Sequence, residues 1–239
     1  MPLNATKTKC LVMGPNREKA PRYINFKEEK LNVSDTVKYL GIHIDSNINW
    51  NCQISHIEKK VKPYIYILNR LRKVLNEQQL LTIYTTIIEP TIHYCDTVWG
   101  YCSKTNINKL NRLKRRSARA ITGNYDWNIP GTQLMQSLNI PTFEMKRDFD
   151  TARLTYKSIN EQTAKYLTDK ISPVSHKHNT RFNNTNSLTL PRPKHEFARQ
   201  TFTYTTSHCW NNLNNETRKA ITYNDFKNKY RKENPFYKA

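Results

Sequence analysis

Five cations with no acid among them carry the strongest chemical signal in this sequence: Lys109, Arg112, Arg115, Arg116 and Arg119. On a helix, at about 100° per residue, they share one side, while Ile107, Leu110, Leu113, Ala118, Ala120 and Ile121 share the other. Solvated helix faces usually mix signs, because opposite charges one turn apart attract and like charges repel. A face of one sign along ~25 Å of helix is the pattern expected of a surface that tracks phosphates. Basic residues alternate with aromatics again at Lys194, Phe197, Arg199, Phe202, Tyr204 and Trp210, where the rings could stack on bases or pack a subdomain.

Other reactive residue types are present at spacings that do not build a site. Asp148 and Asp150 lie two apart and on a helix point about 200° away from each other, with Arg147 and Arg153 beside them. Tyr94-Cys95-Asp96 is half of a polymerase metal motif, without the second aspartate and in a helical context. His93, Cys95, Cys102, His176 and His178 are metal-ligand types at no known ligand spacing, so structural roles are expected of them. Glycine-rich phosphate loops, GxSxG and HExxH are absent, which leaves no cofactor or metal expected for the chain. The five cysteines form no CxxC pair, the pattern of reduced thiols rather than of a disulfide framework.

The elements that must position these residues belong to a chain of 239 residues with 39 Lys and Arg against 19 Asp and Glu. A net charge of +20 points to a polyanionic partner. With 14 Tyr, 8 Phe and 4 Trp the chain has enough large apolar groups to fold, although its mean hydropathy is −0.81. No stretch approaches the ~20 apolar residues of a membrane span and no signal segment opens the sequence, so a soluble intracellular chain, in cytoplasm or nucleus, is expected.

Short apolar runs at 9–14, 23–26 and 37–45 read as strands. From residue 51 the period becomes helical, with Ile54, Ile57, Val61, Ile65, Leu68, Leu71 and Leu75 recurring every three or four positions and a kink expected at Pro63. Asn76 with Gln79 forms a capping box, opening a helix whose expected stripe is Leu80, Ile83, Tyr84, Ile87 and Ile88. Pro90 should bend it, with a continuation over 91–99 that Gly100 stops. The basic helix is expected over 106–122, then helices over 132–138, 142–160 and from about 222, with a polar extended segment at 171–193.

The order of these segments is itself informative. Leu3-Asn4, Lys7-Thr8-Lys9 and a strand ending Met13-Gly14 precede Lys38-Tyr39-Leu40-Gly41-Ile42-His43-Ile44-Asp45 and helices ending Val98-Trp99-Gly100. His178-Asn179-Thr180-Arg181, Leu190-Pro191-Arg192-Pro193, Phe202, Trp210-Asn211-Asn212-Leu213 and Phe226-Lys227 follow. This ordered set resembles the palm end, thumb and post-thumb region of reverse transcriptases of jockey and LINE-type non-LTR retrotransposons. The resemblance implies that Lys7, in the fourth palm motif, is the proton donor to pyrophosphate, with Lys9 beside it on nucleic acid. It makes Tyr39, Leu40 and Gly41 the primer grip, and lays the basic helix along an RNA, DNA or hybrid duplex.

The expected architecture is mainly α with a small N-terminal β-hairpin: a palm remnant over 1–49, a helical thumb over 50–123 and a post-thumb subdomain over 124–239. The family's metal-binding aspartates, which hold two Mg²⁺ ions, precede the position of Lys7. The chain by itself is therefore expected to lack polymerase activity and to keep nucleic-acid binding. The alternatives are a host-adopted basic RNA-binding or scaffold protein, and a degraded copy.

Overall fold

A computed structural model of the chain describes residues 8–14, 19, 21–26, 29–174 and 186–234, with the backbone alone at Glu196 and Phe197. Lys7, His176 and His178 lie outside the described residues. No helix among the described residues is long and apolar enough to cross a membrane.

Among the described residues, the small N-terminal β part consists of two antiparallel hairpins, each a sheet of its own. β1 (Tyr23–Phe26) pairs with β2 (Glu29–Asn32), and β3 (Thr36–Tyr39) pairs with β4 (Ile42–Asp45). The expected strand at 9–14 is reduced to a single bridge from Cys10 to Val33, and the expected strand at 37–45 is the second hairpin folded on itself. Its two-residue turn is Leu40-Gly41, with φ of 46° and 84°. Two positive φ values in succession match the twist of the flanking strands, and this normally selects Asn-Gly. A leucine in the left-handed region costs roughly 1–2 kcal/mol. At 73% exposure it regains little by burial. Leu40→Asn should therefore raise the unfolding free energy by about 0.5–1 kcal/mol, measured by urea denaturation; a loss of stability would mean that the leucine packs more than its exposure implies.

Asp45 joins this hairpin to the first helix. Its carboxylate accepts from the backbone N–H groups of Asn47 and Asn49, both at 3.1 Å, and of Trp50 at 2.8 Å. That supplies the cap which Trp50, in the left-handed region, cannot give to α1 (Asn51–Leu71). α1 buries Ile54, Ile57, Val61, Ile65 and Leu68 and continues through Pro63, which sits on the exposed side where water can reach the freed carbonyl.

α2 (Glu77–Ile83) starts on the capping box read from the sequence: Gln79 N–H donates to Asn76 Oδ1 at 2.9 Å and Asn76 N–H to Gln79 Oε1 at 3.0 Å. It then widens into a π-turn over Tyr84–Ile88 before α3 (Glu89–Ile92). The extra residue lets the chain pass Pro90, which has no N–H to donate. It also moves the buried stripe to Leu80, Tyr84, Ile88 and Ile92, leaving Ile87 at 42% exposed against expectation. The expected continuous helix over 91–99 breaks at Cys95, with φ of 53°, and restarts as the single turn α4 (Asp96–Trp99). Gly100 follows it, and the position calls for glycine by crowding rather than by left-handed φ, since a Cβ there would lie 2.4 Å from Asp96 O and 2.8 Å from Arg147 Cδ.

α5 (Lys104–Thr122) is capped by Ser103 and closed by Gly123 at φ 70°. Two buried asparagines fix it in place. Asn106 donates to Asn49 O at 3.1 Å and Asn51 Oδ1 at 2.8 Å at the start of α1. Asn111 accepts the Phe143 N–H at 2.8 Å at the start of α7 (Phe143–Ile159), after α6 (Gly131–Ser137). One core runs from Ile42 to Phe143 across both expected boundaries, at 49/50 and at 123/124. A second gathers Phe149, Ala152 and Tyr156 of α7 with Leu188, Trp210, Phe226 and Tyr230. Leu188 belongs to the extended chain, Trp210 to α9 (Phe202–Asn211), and Phe226 and Tyr230 to α11 (Tyr223–Glu233); the single turns α8 (Lys165–Thr168) and α10 (Asn215–Arg218) precede α9 and α11. Asn211 holds the extended chain at Leu188 by two 2.8 Å bonds, one to its N–H and one to its C=O.

Candidate nucleic-acid interface

α5 packs along α1 and α6, and this fixes which of its residues meet solvent. Leu110, Leu113, Ala118, Ala120 and Ile121 are buried and Ile107 partly so, as the periodicity requires. Arg112 and Arg116 are exposed, whereas Lys109, Arg115 and Arg119 are half-buried. Among the described residues no carboxylate forms an ion pair with any of the five. Arg112, Arg115, Arg116 and Arg119 line an open groove of about 540 Å³ with Asn69 of α1 and with Tyr125 and Trp127 of the following loop.

The five cations are not equivalent. Arg119 Nη1 donates to the carbonyls of Asn124 and Asp126 at 3.1 and 3.0 Å, and Nη2 to that of Ile129 at 2.7 Å. It anchors the loop leading to α6, and only its remaining donors face outward. Arg115 lies against Gly131, where a Cβ would come within 3.0 Å of its own Cβ. Lys109 lies away from the groove's lining. Arg112 and Arg116 are thus the residues best placed to meet a phosphate.

The sequence reading missed Lys114. It is completely buried, with Nζ 3.0 Å from His93 Nε2 and 3.7 Å from Glu89 Oε1. His93 Nδ1 in turn lies 2.6 Å from Asp96 Oδ2. Lys114 falls on the apolar stripe between Leu110 and Ala118, four residues from each, so the helical period would have shown it as a cation needing a buried partner. Burial, then the Lys114 charge, holds His93 neutral well below its usual range. The tautomer carrying its proton on Nδ1 donates to Asp96 and accepts from Lys114.

Burial, then Asp150, pushes the Asp96 carboxyl up to about 7, and burial pulls Lys114 down to about 8. Because the folded-state value of Asp96 is raised, its contribution to stability is greatest below pH 4 and is lost as pH rises to about 7. The melting temperature of the parent relative to Asp96→Asn should fall over that window. A constant difference would mean that the carboxyl is ionised throughout.

Asp150 belongs to the same region, and one ligand atom each of His93, Asp96 and Asp150 lie within 4.8 Å of one another. These atoms already face donors: Lys146 and Arg153 hold Asp150 at 3.0 Å each, and Lys114 occupies His93 Nε2. The group is an ion-pair network closed by its own cations. Asp148 diverges from Asp150, as expected, toward Arg147. Cys95 is exposed and Cys102 buried.

The remaining expected site residues are dispersed. Tyr39 and Leu40 project at the hairpin tip, 63% and 73% exposed, and the Leu40 carbonyl accepts from Tyr94 Oη at 3.0 Å. β4 docks on α1 through the His43 N–H, which donates to Gln53 Oε1 at 2.9 Å. Lys9 is exposed beside β2. In the 194–210 segment Trp210 is a core residue, 2% exposed, with its indole N–H on Asn186 O, which removes it from any stacking surface. Trp127, by contrast, is 89% exposed beside the basic groove.

Comparison with known proteins gives matches of one kind. A probable RNA-directed DNA polymerase from transposon BS of Drosophila melanogaster is 28% identical over 129 residues, 52% of this chain and 14% of the relative. One from the X-element of the same organism is 25% identical over 129 residues, 53% of the chain and 14% of the relative. Over about half its length, this chain is similar to non-LTR retrotransposon reverse transcriptases. A Pol polyprotein from a type-1 R1 element of Nasonia vitripennis extends the set, at 27% over 100 residues, 41% of the chain and 26% of that relative. The matched stretch spans 14% of the first two reverse transcriptases, so it corresponds to a small part of each. No family model and no solved structure matches the chain.

Proposed function

We propose that the chain is the palm-end, thumb and post-thumb part of a non-LTR reverse transcriptase, and that its task is to hold a primer–template duplex by its phosphates. The observation that carries this reading is the α5 face: four arginines on one groove, two of them exposed, without a carboxylate partner among the described residues. Phosphate contacts position a duplex without reading its bases, so binding is indifferent to sequence. On this reading residues 50–123 act as the thumb, Tyr39, Leu40 and Gly41 grip the primer end, and Lys9 adds a contact upstream. Nucleotidyl transfer is left to metal-binding residues outside this chain.

The reading is tested by anisotropy with two labelled RNA–DNA hybrids and two DNA duplexes of unrelated sequence, across salt concentrations. The parent is expected to bind both sequences of each type alike, and Arg112→Glu with Arg116→Glu to bind all of them more weakly. A sequence preference, or no binding at low salt, would overturn it.

A further inference from the structure

The groove that α5 shares with the loop after it contains more than cations. Trp127 is 89% exposed and Tyr125 48%, both on the groove's lining. A large aromatic left almost wholly in water adds little to folding, and isolated exposed rings need a reason only where other features gather around them. Here several do. The Arg119 guanidinium lies over the Trp127 ring, 5.4 Å from its centre. The same guanidinium binds three loop carbonyls, and Asx turns at Asn124 and Asp126 tighten the loop further. Tyr125 Oη donates to Asn69 Oδ1 of α1, tying the loop to the opposite wall. Trp127 is therefore presented on a braced loop, with one ring face toward a cation and the other to solvent.

We infer that Trp127 stacks on an unpaired nucleobase of a single-stranded segment whose flanking phosphates lie on Arg112 and Arg116. The inference rests on the proposed nucleic-acid reading and adds a ligand class to it, since a paired base inside a duplex offers no free face. A volume of about 540 Å³ accommodates a nucleotide, and charge complementarity selects a polyanion over an apolar partner. Every base has a π-face, so the stack tolerates any sequence, and an RNA or a DNA strand presents the same chemistry.

Fluorescence tests it directly. The chain has 4 tryptophans, and Trp50, Trp99 and Trp210 are 6%, 0% and 2% exposed, which leaves Trp127 as the reporter. Oligo(dT) and oligo(rU) of about 20 nucleotides, which do not self-pair, should quench the parent's emission, and the quenching should vanish in Trp127→Ala. Trp127→Ala should also weaken both oligonucleotides about tenfold, the size of one lost stack, and Trp127→Phe much less. Affinity for a blunt duplex and the melting temperature should stay unchanged. Quenching by oligo(rU) alone would assign the site to RNA, and by oligo(dT) alone to DNA. If the parent binds duplex and Trp127→Ala binds the single strands as tightly as the parent, the stack is refuted while the duplex reading stands. If the parent binds neither duplex nor single strand, both fall together.

Discussion

Lys114→Ala should lower the unfolding free energy by roughly 3–5 kcal/mol, the range for breaking a buried ion pair by removing one partner. For a chain of this size that corresponds to a melting-temperature drop of about 10 °C. The loss has identifiable parts. His93 Nε2 is left without the donor now 3.0 Å away, Glu89 loses its cation, and a lysine-sized void opens where Lys114 is 0% exposed. Replacing Lys114, His93 and Asp96 together should cost less than removing Lys114 alone, because well-packed apolar groups need no partner and Glu89, 19% exposed, can turn to water. Lys114→Met with His93→Phe and Asp96→Val keeps the ring that stacks on Phe143 at 5.0 Å and should recover most of the loss. Urea denaturation of the single and triple variants measures both. A loss under about 1 kcal/mol in Lys114→Ala would mean that water already enters the network, and the burial argument would fail.

That network also marks how far the sequence could be read. Local rules were legible: Asn76 and Gln79 announced their capping box, and the two faces of α5 followed from its apolar period. The mainly helical class and the small β part followed from the change of period at residue 51. Three features escaped because they depend on how the folded chain packs rather than on apolar spacing. The π-turn before Pro90 shifted the buried stripe by winding in one more residue, which apolar spacing alone does not reveal. The break at Cys95 is stabilised by Trp99, whose indole N–H donates to Tyr94 O at 2.8 Å, and by the His93–Asp96 pair. Trp127 sat in a segment read only as a turn, and nothing local says that Arg119 would brace it.

The basic face was half legible for a related reason. Five cations on one side can be seen from spacing, but their separate tasks cannot. Arg119 is committed to three carbonyls of a loop up to ten residues away, and Arg115 is wedged against Gly131. Single-sign charge on a helix thus identified the surface, while tertiary contacts decided which members of it remain available to a ligand.

Arg112→Glu with Arg116→Glu is expected to have the largest effect on binding. Each cation that neutralises a duplex phosphate releases condensed counterions, so log K falls with log[salt] by about 0.9 per contact. Removing two contacts should flatten the slope by about two units, and the parent should lose about tenfold more affinity than the variant between 50 and 200 mM salt. At the lower salt the variant should already bind every duplex at least about tenfold more weakly, since the reversed charges now repel phosphate. The melt should shift little, because exposed charges that make no ion pair among the described residues contribute a few tenths of a kcal/mol to folding. Arg119→Ala supplies the opposite case: it removes one cation from the groove but also the donor to three carbonyls, so it should lower the melting temperature while changing the salt slope by one unit or less. An unchanged slope in a double variant that melts like the parent would show that the α5 face is solvated and holds no phosphate, because counterion release depends on the contacts made and not on the charge carried.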